Sequence, residues 1–217
     1  MAPTRDRIIA ATNELFRRSG YNGTSLKQVT EAAGAPTGSL YHFFPNGKAE
    51  LAEAVITETG AAYLALFEMF AAAATNPGAA VGDFFDAAAE TLEQSDYIDV
   101  CPIGTVAREV ANTHDRLRGA ADRVFLSWIE SLGGHLQGAG LTPTEGAALA
   151  TTVVAALEGS FVLARTRRDA DILRHTGRHI RQLVDAQMCD AQNRAEAWPG
   201  PGAHNGTSRF AWGPSPK

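Results

Sequence analysis

Apolar residues return every three or four positions along almost the whole chain, and no stretch alternates apolar and polar residues over more than a few positions. A period of 3.6 buries one face of a helix, whereas a period of two buries one face of a strand. The pattern therefore restricts the chain to helices packed on helices. Alanine, which loses least on entering a helix, supplies 39 of the 217 residues and reinforces that restriction.

Read in order, the pattern predicts about nine helices. The first spans 4–20, with Ile8, Ala11, Leu15 and Phe16 on one face. The second starts after Thr24 or Ser25, buries Leu26, Val29 and Ala33, and ends at Gly34. The third covers about 36–44 and stops at Pro45. A long fourth helix from Lys48 to about Thr75 places Leu51, Val55, Ala62, Leu66, Met69, Phe70 and Ala73 in register; at ~1.5 Å per residue it reaches about 40 Å. Asn76-Pro77 opens a fifth helix carrying Val81, Phe84, Phe85, Ala88 and Leu92, and Pro102 opens a short sixth with Ile103, Val106 and Val110. A seventh covers 115–137. Thr142-Pro143-Thr144-Glu145 has the form of a capping box and opens an eighth, to about Thr166. A ninth over 169–188 buries Ile172, Leu173, Ile180, Leu183 and Val184. Residues 191–217 read as a flexible tail, rich in Gly and Pro from Trp198 onward.

Charge is distributed unevenly. The chain carries a formal −5, which by itself disfavours a nucleic-acid partner. Residues 1–50, however, hold six basic side chains (Arg5, Arg7, Arg17, Arg18, Lys27, Lys48) against four acidic ones, a net +2, and the remainder holds −7. Only local potential acts on a partner, so the first fifty residues stand apart. The longest uninterrupted apolar run, residues 61–67, is seven long. A bilayer needs roughly 20, so no membrane partner is expected. No signal peptide is visible at the N-terminus, and Cys101 and Cys189 form neither a disulfide framework nor a metal pair. A cytoplasmic protein is the expectation.

Enzyme chemistry finds no cluster to rest on. Ser160, in Glu158-Gly159-Ser160-Phe161, does not complete a nucleophile elbow. Asn46-Gly47-Lys48-Ala49 fails as a phosphate loop, because Ala49 replaces the required hydroxyl. His175 and His179 lie four apart but have no third ligand at recognisable spacing, so no metal and no cofactor are expected.

The second and third helices are short, and Ala32-Ala33-Gly34 between them supplies what a sharp turn between packed helices requires: small residues, then a glycine able to take positive φ. This is a helix-turn-helix pattern, whose second helix enters the major groove. That helix exposes Thr37, Gly38, Ser39, Tyr41 and His42 and turns Leu40 and Phe44 inward. Thr37 and Ser39 offer hydroxyls, Tyr41 a phenol and His42 a ring N–H, and Gly38 lets backbone approach DNA closely. Lys48 and the amides near Thr24 and Ser25 are placed for phosphates.

These residues also carry a resemblance. Thr24-Ser25-Leu26-Lys27-Gln28-Val29, Ala32-Ala33-Gly34 and Gly38-Ser39-Leu40-Tyr41-His42-Phe43-Phe44-Pro45, followed by Lys48 and Leu51, resemble the TetR family of bacterial transcriptional regulators over roughly residues 5–55. Phe44-Pro45-Asn46-Gly47-Lys48, with Cys101-Pro102-Ile103-Gly104 and Glu109, is similar to its LmrA/YxaF-type branch. The resemblance implies an all-α fold with a three-helix helix-turn-helix domain over 4–64 and a ligand-binding and dimerisation domain over 65–190. It implies a homodimer on a palindromic operator, a repressor whose DNA affinity a small apolar effector lowers; an activator of the same family, or a helical adaptor that does not read DNA, are the alternatives. By motif, Thr37, Gly38, Ser39, Tyr41, His42 and Lys48 carry over as DNA contacts. The third helix lacks any Lys, Arg, Asn or Gln for bidentate base contacts. Specificity is therefore assigned to Lys27, Gln28, an Arg5/Arg7 arm and DNA shape.

Helical bundles place ligand cavities between their helices. Tyr63, Phe67, Phe70, Phe85, Phe125, Trp128 and Phe161 are the candidate walls, with Cys101, Glu109 and Glu158 beside them and His114 as a further polar group. Plain core is the alternative for the rings, and a small buried thiol for Cys101. The eighth and ninth helices are assigned the dimer contact, on Ala147, Ala148, Ala155, Ala156 and Gly159, with packing inside the chain as the alternative for these small residues.

Overall fold

The computed structural model describes residues 2–98 and 100–197. Among them are nine α-helices and no strand: α1 (Thr4–Ser19), α2 (Leu26–Ala33), α3 (Thr37–Phe43), α4 (Lys48–Ala73), α5 (Pro77–Gln94), α6 (Pro102–Val110), α7 (Asp115–Gly138), α8 (Pro143–Arg167) and α9 (Asp171–Ala197). Residues of the expected tail from 198 onward lie outside the described set. Its first part, 191–197, is the end of α9, with Ala191 buried.

The helix ends follow local chemistry. Ser25 caps α2, accepting from the Gln28 amide, while the Gln28 side chain accepts from the Ser25 amide. Thr142 and Glu145 close the same reciprocal box on α8. Asn76 Oδ1 accepts from the Ala79 amide at 2.8 Å to start α5, with Pro77 in the first turn. Gly34 ends α2 in the left-handed region at φ 56°, which a side chain there would resist.

The core has two parts, and the first draws on helices well beyond residue 64. In the first, Ile8, Phe16, Val29, Leu40, Leu51 and Ile56 pack with Ile103, Val106, Val110, Leu117 and Ala121 of α6 and α7. In the second, Val81, Phe85 and Leu92 of α5 meet Leu132, Leu136, Leu149, Leu173 and Val184 of α7, α8 and α9. Residue 64 itself lies within an unbroken α4. The physical reason is size: α2 has eight residues and α3 seven, and so small a unit has little apolar surface of its own to bury.

One register differs from expectation. Ala62 and Met69 face outward, with Met69 68% exposed, Leu66 is 40% exposed where it lines an internal cavity, and the inward face of α4 runs through Ile56, Gly60, Tyr63, Phe67 and Phe70. The wide step from Val55 to Ala62 had let the inferred stripe slip by one position. Leu183 of α9 and Phe84 of α5 are likewise less buried than expected. By length and composition α4 and α8 would suffice to cross a membrane, which the uninterrupted-run criterion had missed. Both instead pack along their neighbours, α4 against α1, α5, α6 and α7, and α8 against α7 and α9.

The α4 register has a direct test in urea unfolding. Ile56→Ala, at a 1% exposed position, is expected to cost roughly 2–5 kcal/mol. Met69→Ala is expected to stay within about 0.5 kcal/mol.

Candidate nucleic-acid interface and internal cavity

On α3, Leu40 is fully buried and the following Phe44 is 2% exposed, so both anchor the helix to the core. The opposite face presents Thr37, Gly38, Tyr41 and His42, all exposed, with Ser39 half-buried beside them. Positions i, i+1, i+4 and i+5 form one helical face. Phe43 is exposed too, its ring 5.0 Å from that of His42; in sequence an aromatic residue beside Phe44 and the inward Leu40 carries the signature of core, which hides this exposure. A Cβ added at Gly38 would meet nothing within 4 Å. Glycine in a helix costs roughly 0.5–1 kcal/mol against alanine, and no contact within the chain requires it here.

The flanking candidates are arranged differently from expectation. The Thr24 side chain is buried, its hydroxyl donating to the Gly20 carbonyl at 2.7 Å, and its amide donates to the Tyr21 carbonyl. The Ser25 amide is bonded to Gln28 Oε1 at 2.8 Å. These two amides therefore serve the turn, and the Gln28 carbonyl oxygen serves the cap. Lys27 is open to solvent and loosely paired with Glu31. Arg5 and Arg7 belong to α1 and do not form a free arm: Arg5 pairs with Glu58 of α4 and lies over the Phe44 ring. Lys48 Nζ sits 4.3 Å over the Tyr21 ring; burial lowers its pKa from the ordinary lysine value, and the Glu109 carboxylate offsets part of that.

Behind this unit lies a cavity of about 190 Å³ between α4, α5, α7 and α8. Seven of the expected residues line it: Tyr63, Phe67, Phe85, Cys101, Trp128, Glu158 and Phe161. Three do not. Phe70 packs edge-on against Phe84, which itself lines the cavity, and Phe125 stands behind the Trp128 ring. Glu109 is at the far end of α6, where its Oε2 accepts from the Asn22 amide at 2.7 Å. His114 also lies there, against the Tyr21 ring. The spacing 102–110 had placed Glu109 on α6 correctly; which end of α6 reaches the cavity was not visible in the sequence.

Polar groups in the cavity are few. The Trp128 indole donates to the Gly60 carbonyl at 3.0 Å. Arg17, on the last turn of α1, also lines the cavity and donates to the Tyr63 hydroxyl at 3.0 Å. Nothing in the sequence marks this role, since a cation in a last helical turn suits the helix dipole and carries no other signal. Cys101 caps α6 through its sulfur, which accepts from the Gly104 amide at 3.4 Å, and its thiol also hydrogen-bonds Glu158. Burial pushes this thiol well above the ordinary cysteine value, with the Glu158 charge adding to the effect. It is therefore a structural thiol and not a thiolate nucleophile. Burial likewise raises the Glu158 carboxyl, against the lowering effects of Cys101 and Arg108.

Comparison with known proteins accounts for both halves. Residues 8–55 match the bacterial regulatory proteins of the tetR family, and residues 77–179 match the C-terminal domain of LmrA/YxaF-like transcriptional regulators. The HTH-type transcriptional regulator YxaF of Bacillus subtilis is 33% identical over 181 residues, covering 83% of this chain and 95% of that one. LmrA of the same organism is 28% identical, covering 83% and 96%. The crystal structure of a TetR regulator from Legionella pneumophila superposes with a TM-score of 0.76 at 26% identity, covering 84% of this chain and 98% of that one. With an exposed recognition helix in front of a bundle that matches along its length, the chain belongs to the LmrA/YxaF-like branch of the TetR family and is a DNA-binding transcriptional regulator, not an enzyme.

Proposed function

We propose that this regulator is a cytoplasmic, ligand-responsive repressor that binds a palindromic operator as a homodimer and leaves it when a small, largely apolar molecule enters the cavity. The observation that carries the DNA half is Gly38, a glycine inside the most exposed face of α3 that no neighbour in the chain requires. DNA backbone brought close to α3 supplies the missing reason. Thr37, Gly38, Ser39, Tyr41 and His42 are the proposed groove contacts and Lys27 a flanking one, with Lys48 and the start of α2 at Thr24–Gln28 near phosphates. Specificity leans on Lys27 and on DNA shape more than on Gln28, whose carbonyl is committed to the cap.

The ligand half rests on the cavity and on how it touches the DNA-facing unit. Tyr63, Phe67, Phe85, Trp128 and Phe161 give apolar walls. Arg17 links that wall directly to α1, and α6 runs from Cys101 at the cavity to Glu109 at the α1–α2 turn. A ligand that moves either contact biases the spacing of the two α3 helices in the dimer, which must sit about 34–36 Å apart to meet successive major grooves.

The dimer is proposed through α8 and α9. Thr152, Ala155, Gly159, Val162, Leu163 and Thr166 leave one outward, small and apolar face on α8, and Leu183 of α9 is exposed as well. A face of this kind is self-complementary about a twofold axis.

Mobility shift on the DNA upstream of the chain's own gene tests the reading. Binding is expected at nanomolar protein, with a salt slope corresponding to a handful of phosphates per subunit. Gly38→Ala is expected to raise stability by roughly 0.5–1 kcal/mol and to weaken that binding about tenfold; unchanged binding contradicts the close approach. Gly159→Arg, at a position with open space around it, is expected to leave helicity intact, convert dimer to monomer in sedimentation and abolish the shift.

A further inference from the structure

Among the described residues, Glu158 carries a buried carboxylate oxygen with no hydrogen-bond partner. It sits on the inner face of α8 among Val153, Val154, Leu157 and Phe161, which line the same cavity. Space is made for it: at Gly104 on α6 a Cβ would collide with Glu158 Oε2. Cys101 donates its thiol proton to this carboxylate, yet Oε1 is buried with no hydrogen-bond partner. A buried carboxylate oxygen left without a donor is costly, and proteins keep few of them. The other polar groups on the wall are already engaged, the Trp128 indole with Gly60 and the Tyr63 hydroxyl with Arg17.

We infer that the cavity selects its effector by a hydrogen-bond donor: Glu158 Oε1 accepts an N–H or O–H from a compact ring compound held against Trp128, Phe161 and Tyr63. The inference rests on the cavity being the effector site and adds the chemistry of the ligand's polar end. A hydrogen bond to a charged acceptor is stronger than one between neutral groups, and the low dielectric around Glu158 strengthens it further. A phenol and a protonated amine both supply the donor. The charged groups around the carboxylate are Arg17 of α1 across the cavity, and Arg108 of α6 and Arg165 of α8, which line a smaller cavity of about 100 Å³ on its other side.

Calorimetric titration of the full-length protein separates the possibilities, with four probes of one ring system: naphthalene, 2-methoxynaphthalene, 2-naphthol and 2-naphthylmethylamine. At least one of the two donor-bearing probes is expected to bind about tenfold tighter than the methoxy compound, and which one does so assigns phenol or ammonium. In Glu158→Ala that preference is expected to fall within about twofold while the methoxy affinity holds. Glu158→Gln, which keeps an acceptor oxygen but no charge, is expected to retain a 2-naphthol preference and lose one for the amine. Donor probes that bind no tighter than 2-methoxynaphthalene, or a preference that survives Glu158→Ala, overturn the inference while leaving the cavity reading intact. Failure of all four to bind overturns both. As a folding control, the raised Glu158 carboxyl means that its ionisation destabilises the native state as pH rises. Glu158→Gln is therefore expected to melt higher than the parent chain at pH 7, with the gain vanishing as pH falls through the ordinary value of 4.5.

Discussion

The contact on which the rest of the structure depends is the burial of Ile8, Phe16, Leu51 and Ile56 against Ile103, Val106, Val110 and Leu117. Helices of seven and eight residues do not persist alone in water, so α2 and α3 hold their shape because α1 and the start of α4 hold them. Those helices in turn complete their core on α6 and α7. The recognition face is thus positioned by elements that lie more than fifty residues further along the chain. A change in α6 is a change in the floor beneath α3.

That dependence gives the cavity a short route to the DNA-facing unit. α6 starts at the Cys101 cap, beside Glu158, and ends near the Glu109 contact to Asn22. Arg17 reaches from α1 into the cavity wall, and Arg165 of α8 donates to the Arg17 carbonyl. The long α4 joins the same two regions and is tied to α7 by Glu53, which takes Arg116 and Arg123. These surface pairs are individually weak, so the continuous contact between the two regions lies in the packed helices beneath them. The charge split fits the same arrangement: residues 1–50, which carry α3, are net positive at +2, and the remainder is acidic at −7, the polarity expected if the first end faces phosphates.

Much of the fold was legible in the sequence because its signals are local. Asn76-Pro77, Thr142 through Glu145 and Gly34 each act within four residues, and the helix ends fall at or beside them. The exposed face of α3 was legible for the same reason, since Leu40 and Phe44 set which side of α3 is inward. What could not be read depends on packing between distant elements. Arg17 meets Tyr63 across 46 residues and Glu109 meets Asn22 across 87, and no periodicity encodes either. The α4 stripe slipped because an Ala-rich helix offers several registers of similar apolarity, and only the neighbours decide among them.

The central claim is that the cavity and the recognition helix share one mechanical support. Amide hydrogen exchange on the full-length protein, with and without a bound naphthalene-ring ligand, tests it most directly. Coupling through this support predicts that ligand alters exchange not only in α5 and α8 but also in α6, in the last turn of α1 and across α2 and α3. Altered exchange confined to the cavity walls, with α1 through α3 unchanged, would contradict it.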